Sequence, residues 1–534
     1  MKKRILLISL AIASLLSACG EKQTAKKGAD EEFLSYLETA TYPLETDRKL
    51  TAWNMNGGAA IGSHTDPHTF PSVVEHAKAV GVEIEYTFPT GNQKEAFNLL
   101  IASNDLPDMI NYWWAVPTDF PGGPEKAISD GYIASLNEMI PKYMPNLDKF
   151  LKENESAARD MKTDGGHYYY LPQYAGIDTD NSDVTCGFMF RKDWLDDLGL
   201  PVPETWDEWY TTLKAFKEQK GADLPLSLIF HVLKTRGITN AFDFFPGFYV
   251  RDNEVKYGFV EPQYKEFLTE MNKWYNEGLL DPNIASIDQK SVDSKVIGGR
   301  TGASFGWLSY MLNWTNAARA NDPEFELVAV PFPVKEKGDP QIYGYSNPMV
   351  YHGGWAINAQ SPNKELAAKV LDYGFSPEGS VALNFGKENE HFVMEDGKYK
   401  KTDLINNNEE GLTYLEASNY YVNGMQLPKL SFAADKVVQF YNLPEQYAAK
   451  EKWAENNSRN TKLSFSVAPP VDKAATYAKL LTDIEAYADE MMLKFITGAE
   501  PLSSFDKYCE EMKNYNLDEL VSITQLSYDN YMSR

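Results

Sequence analysis

Only three cysteines occur among 534 residues, so no disulfide framework holds this chain together and its stability must come from a packed core. Cys186 and Cys509 read as two core thiols rather than a bridge. Basic residues are in the minority: 51 lysines and arginines face 76 aspartates and glutamates, a formal charge of −25. Such a surface repels phosphates and anionic lipid, which argues against nucleic acid as a partner. Past the first residues, no apolar run approaches the roughly 20 residues that span a bilayer. There is no internal repeat, no low-complexity tract and no H-E-x-x-H stretch. What is plentiful is aromatic and aliphatic: hydrophobic residues are 43% and aromatics 13%, suited to a well-packed globular body of two or more domains.

The third cysteine stands near the start. Lys2, Lys3 and Arg4 precede an apolar run over residues 5–16, then Leu16-Ser17-Ala18-Cys19 and a soft polar stretch. The run is too short for a permanent anchor and fits the apolar core of a secretory signal peptide. The order Leu-Ser-Ala-Cys resembles a bacterial lipobox, in which the cysteine is acylated and becomes the new N-terminus. The expectation is a signal peptide over residues 1–18, lipid on Cys19, a flexible tether over 19–48, and a body held on the outer face of a cell membrane. Loss of the leader takes the charge to about −28.

The body reads as α/β. "KLTAWNMN" (49–56) is strand-like and runs into a Gly-rich loop; a helix over Pro71–Val80, a strand "VEIEYTFP" (82–89), an amphipathic helix and the apolar strand "DMINYWW" (108–114) follow. A second unit starts at "GFMFR" (187–191), with Thr205 and Glu208 spaced as a capping box. "FELVAVPFP" (325–333) is another strand, Ser361 with Pro362 reads as a helix start, and amphipathic helices run from 470 to 534. Ligands of such sheets bind beyond the carboxyl ends of the strands. The loops at Asn54, Asn56, Asp108, Trp113 and Trp114 are assigned to that position.

In order, "LPDM" (106–109), "FRKDWLDDLGLPVPETWDEW" (190–209), "GGRTGASFGW" (298–307), "WAINAQSPNKELAAKVLDY" (355–373) and the final "YCEEMKNYNLDELVSITQLSYDNY" (508–531) resemble the carbohydrate-associated solute-binding proteins of ABC importers, family one. The likeness spans residues 50–534. It is most similar to the long lipoproteins of Gram-positive bacteria and distantly to maltose-binding protein. The resemblance implies a two-lobe, periplasmic-binding-protein-like fold (type II), each lobe a mainly parallel sheet flanked by helices, with a hinged cleft between them. It places 49–173 and 300–345 in the N-terminal lobe, and 174–299 and 346–534 in the C-terminal one. A monomer would capture an oligosaccharide or other small solute by closure and deliver it to the membrane permease.

A sugar offers apolar C–H faces and a belt of hydroxyls, so its site needs aromatic platforms and fixed polar groups. Trp307, after a Gly turn at a strand end, is the first platform; Trp113 or Trp114, Tyr174 in the hinge and Trp355 on a return strand follow. Trp194, Trp206 and Trp209 sit at apolar helical spacing and belong to the core. Asp108 has two readings, a ligand acceptor or a local cap. Arg191 clamps a ligand carboxylate or pairs with an internal acid. Glu388 and His391, in "GKENEH" (386–391), match a region near the ligand in the resembled family; the aspartates 178, 180 and 183 read as a solvated loop. No metal or other cofactor is expected. Pro67 spoils the helical alignment of His64 and His68, and "KEQKGADLPL" (217–226), where longer relatives carry a calcium loop, lacks the D-x-[DN]-x-[DN]-G pattern. The alternatives are a peptide-binding protein, a polysaccharide hydrolase or lyase needing paired carboxylates, and a non-closing adhesin.

Overall fold

The computed structural model describes residues 30–534 apart from 57–59, 117–118, 175–183, 236, 346–349, 433–442, 456–462 and 465. Cys19 and the aspartates 178, 180 and 183 lie outside the described residues. In chain order the strands are β1 (Leu50–Asn54), β2 (Ile84–Thr87), β3 (Met109–Tyr112), β4 (Leu171–Tyr174), β5 (Cys186–Arg191), β6 (Leu226–Ser227), β7 (Phe248–Arg251), β8 (Glu254–Tyr257), β9 (Ala303–Trp307), β10 (Leu327–Ala329), β11 (Val350–Ile357), β12 (Phe392–Glu395), β13 (Lys398–Lys401) and β14 (Lys429–Leu430). A first sheet runs β14-β4-β11-β3-β1-β2 and a second runs β10-β5-β9-β6; β7 with β8, and β12 with β13, are separate hairpins.

Local chemistry explains the elements between them. The helix Pro71–Val80 begins with proline and ends on Gly81 at φ 74°, where a Cβ would fall 2.2 Å from the carbonyl oxygen of Leu44. Asn92 caps the helix Gln93–Ser103 by accepting from the amides of Lys94 and Glu95. Thr205 and Glu208 close a capping box on the helix Trp206–Gln219, as their spacing predicts. Ser361 behaves differently from expectation: the helix starts at Lys364, and the Ser361 hydroxyl instead donates to Asp108 while accepting from the amide of Asn363.

Each sheet has its own core. The first gathers Leu50, Ile110, Tyr112, Trp355 and Leu371; the second is strongly aromatic, with Phe188, Trp209, Phe267 and Trp274 at its centre. Trp194, Trp206 and Trp209 are buried there, as assigned. Cys186 and Cys509 are both free thiols, and burial pushes Cys509 up to about 11.

The pairing overturns the expected lobe boundaries. β9 lies in register with β5, from Cys186 opposite Trp307 to Phe190 opposite Ala303, so the segment 300–345 belongs to the second half. β11 lies between β3 and β4, and β14 beside β4, so the segment 350–430 belongs to the first half. Backbone pairing is long-range information that local pattern does not carry, and strands of either half read alike as apolar runs. The expected tether is also shorter than 19–48. Residues 30–39 are helical, Leu37 and Leu44 are buried in the first core, and the Tyr42 hydroxyl donates to the carbonyl of Lys369 at 2.6 Å.

Candidate functional site: the facing edges of the two sheets

In the first sheet β1, β2, β3, β4 and β14 run the same way, and β11 runs against its neighbours. Their carboxyl ends therefore share one edge, where Met55, Asn56, Phe88 and Trp113 follow the strands and β11 begins. In the second sheet β6, β9 and β10 end where β5 begins, at Cys186 and Trp307. Residues 175–183 connect one edge to the other, and so do residues 346–349. From Tyr345 to Val350 the chain reaches at most about 18 Å. Tyr345 packs edge-on to Trp307, ring centres 5.9 Å apart, while Gly353 on β11 carries the Trp113 ring over its Cα. Trp113 and Trp307, both half-buried, thus stand just past β3 and at the end of β9, each at the carboxyl edge of its own sheet.

The other assigned residues fall into two groups. Asn54 is at the edge but fully buried. Its oxygen accepts from the Asn111 amide at 2.8 Å and from the Asn56 backbone at 3.0 Å, and its amide donates to the Met425 carbonyl at 3.0 Å. With every bond used, it braces the loop that carries half-exposed Asn56 and does not touch solvent. Tyr174 ends β4 at the same edge, but its ring is buried edge-on against Phe150 at 4.8 Å.

Four assignments are corrected outright. Asp108 precedes β3 and so sits at the opposite end of the sheet, with Oδ2 accepting from the Thr51 amide and hydroxyl at 2.8 and 3.0 Å and Oδ1 from Ser361 at 2.5 Å. It staples β1 to the chain following β11. Trp114 is core, its indole N–H donating to Ile110 at 3.0 Å; Trp355 is core, donating to Gln426 at 3.1 Å. Both residues lie past the end of β3, where Trp114 packs edge-on to Phe97 and Tyr112 while Trp113 stays half-buried. Arg191 ends β5, roughly 17 Å along the strand from Cys186 and the cleft edge. Its buried guanidinium bonds Asp193 at 2.6 and 2.8 Å and Asp322 at 2.9 Å, between the rings of Trp194 and Phe325. Glu388 is exposed on the turn before β12, and His391 is buried with Nδ1 accepting from the Lys387 amide. The pair Lys387–Glu75 at 2.7 Å holds that turn to the helix Pro71–Val80.

One aromatic group went unassigned from the sequence. Beyond β1 the His64 ring stacks on Tyr420 at 4.1 Å, with Nε2 2.7 Å from Glu410 and Nδ1 3.1 Å from the Tyr420 hydroxyl. Tyr421 meets Tyr420 edge-on at 4.7 Å, and His68 faces Phe88 at 5.7 Å. Burial, with Glu410 beside it, pushes the Tyr420 phenol up, so its O–H stays a donor. "HTDPHT" held the signal, but its partner tyrosines lie over 300 residues away. Both His64 nitrogens are engaged by Glu410 and Tyr420. Among the described residues no group of three or more histidine, cysteine or acidic side chains could hold a metal. Asp223, in the stretch read for calcium, faces Arg300 at 3.2 Å.

The stretch "GASFG" (302–306) spells G-x-S-x-G. Ser304 lies within β9 rather than on a strand-to-helix elbow, is buried, and donates to the Ser227 carbonyl at 2.8 Å. It is a sheet residue.

The family model described as bacterial extracellular solute-binding protein matches residues 61–381. The fructooligosaccharide ABC transporter substrate-binding protein FusA of Streptococcus pneumoniae is 25% identical, covering 99% of this chain and 98% of its own. Lipoprotein LipO of Bacillus subtilis is 24% identical over 84% of this chain and 87% of its own. Among solved structures, an alginate-binding protein superposes with a TM-score of 0.71 at 23% identity, over 92% of this chain and all of that one. The fold is the two-lobe α/β fold of such proteins.

Proposed function

Because the chain belongs to the bacterial extracellular solute-binding proteins, we propose that it captures an oligosaccharide between its two halves and delivers it, unaltered, to the permease of an ABC importer. What supports this reading is that Trp113 follows β3 and Trp307 ends β9, each at the carboxyl edge of one of the two sheets. Two half-buried indoles can stack on the two C–H faces of a sugar chain, and ligand that touches both halves favours the closed arrangement. The similarity to FusA supports glycan as the solute class. The aromatic group at His64, Tyr420 and Tyr421 widens the platform on the first half. The similarity to a lipoprotein supports acylation of Cys19 and a position on the outer face of the cell membrane. Labelled palmitate should enter the wild type and not Cys19→Ser.

A thermal-shift panel of fructo-oligosaccharides, alginate oligosaccharides and short peptides tests the solute. A ligand at a hundredfold its Kd stabilises the folded form by about 2.7 kcal/mol. A shift with peptides alone would replace glycan by peptide, and cleavage of a bound glycan on long incubation would make the protein an enzyme.

A further inference from the structure

Beside the edge that carries Trp113 lies a cavity of about 300 Å³ walled by both halves of the molecule. Its floor is Ala115, two residues past Trp113, with Thr163, Asp164 and the ring of Tyr169; its roof is Ser466, Pro470 and Val471, with Asn530 in the last helix and Arg534 just after it. The roof is fixed. Ser464 and Tyr531 both donate to Oδ1 of Asp160 at 2.7 Å, and the Ser466 hydroxyl donates to the Asp160 carbonyl at 2.6 Å. Arg534, its guanidinium almost wholly buried, donates twice to Oδ1 of Asp164, at 2.8 and 2.6 Å, and to the carbonyls of Lys162 and Ser466.

The groups left over in the walls include carboxylate acceptors, beside the Lys162 ammonium that lies over the Tyr168 ring. Among the described residues the Glu125 carboxylate makes no hydrogen bond. It lies against the bare Cα of Gly165, where a Cβ would fall 1.7 Å from Oε1. Oδ2 of Asp164 is likewise unengaged among the described residues. The rest of the lining is Tyr169, Lys162, Thr163, Ser466, Val471 and Asn530 with glycine, alanine and proline. Walls that mix apolar surface with unengaged carboxylate oxygens suit a ring with C–H faces and hydroxyl donors. The volume is at the small end of ligand pockets, which run from roughly 300 to 1,000 Å³.

The geometry points to a subsite here for the terminal, uncharged sugar of a glycan whose other units lie between Trp113 and Trp307, an inference that rests on the glycan reading above. Glu125 accepts hydroxyl protons from that ring, Asp164 takes a second, and the tail over Val471 closes the end of the cleft. Affinity therefore rises with chain length until the cavity is filled.

Isothermal titration of the full chain with fructo-oligosaccharides, graded from the disaccharide upward, tests it, and alginate oligosaccharides, which carry a carboxylate on every unit, serve as the charged comparison in which no gain on lengthening is expected. The variants are Glu125→Ala, which removes the acceptor, and Val471→Trp, which blocks the mouth from a position 48% exposed and so tolerant of change. Wild type should gain about tenfold or more in affinity on lengthening of the fructo-oligosaccharide, the worth of a hydrogen bond to a charged group. Both variants should lose that gain while keeping wild-type disaccharide affinity and thermal stability. Glycan binding with a gain that both variants retain, or with no gain from fructo-oligosaccharides in the wild type, overturns the subsite and leaves the transport reading standing. No binding by any member of either series fells both.

Discussion

Lys401 and Lys429 are buried in the first half, and among the described residues no carboxylate faces them. Desolvation pushes them down to about 8 and about 7, Lys429 further by the charge of Lys401. His76, in the same half, is held down at about 4 by burial, and Asp372 is raised to about 6 by burial against the bonds from Leu147 and Asn146. The second half meets the same difficulty with partners. Arg191 sits in the fork of Asp193 and beside Asp322, and Lys295 grips the fully buried Asp281, which also accepts from Ser227 at 3.1 Å. An amine can give up its proton when no counter-ion is near; a guanidinium cannot, so it must be paired. The two halves thus bury ionisable groups differently, the first with their protonation shifted toward the neutral form by burial and the second as ion pairs around an aromatic core.

The sharpest way to separate them is to break the second half's own support. Trp274→Ala removes an indole stacked on Trp206 at 4.4 Å and should cost about 4 kcal/mol in urea unfolding. Signals from the second half should fall first, and a shared, unshifted transition would contradict independent cores. Lys295→Met leaves Asp281 buried without its cation and should cost about 3 kcal/mol at neutral pH, whereas a neutral outcome would mean the pair is replaceable. Trp307→Ala should weaken glycan binding at least tenfold, about 1.4 kcal/mol, with little change in melting temperature. Intact binding of the best glycan would remove Trp307 from the site.

A further comparison concerns pH. In the fold Lys429 is uncharged above about pH 7, while in the unfolded chain it keeps its proton up to about its ordinary 10.5. Between those values the unfolded chain binds more protons, so stability rises with pH, by up to about 1.4 kcal/mol per unit. Lys429→Met should flatten that rise in the first half and leave the second half's profile unchanged. An unaltered slope in melting temperature from pH 7 to pH 10 would show that Lys429 is not its source.

Much of this was legible in the residues themselves. The helix Pro71–Val80, the capping box at Thr205, the core positions of Trp194 and Trp209 and the strand ending at Trp307 all follow from signals a few residues long. Asp108 misled because an acidic loop residue looks the same whether it meets a ligand or staples Thr51 to Ser361, a partner 253 positions away. Trp114 and Trp355 misled because an aromatic at a strand end gives no sign of which face is packed. Tyr420 and Glu410 gave no signal at all, since their neighbour His64 comes from the other end of the first half.

Period, caps and composition are local, so the chain alone determined an acidic α/β body with an apolar run near its start, a large core and the family to which it belongs. Which half owned β9 and β11, which of two adjacent tryptophans was packed into the core, and whether Arg191 met Asp193 were settled only in three dimensions. Those outcomes depend on which strand supplies the backbone partner and which side chain first satisfies a buried charge, and both partners come from hundreds of residues away or from the far side of a sheet.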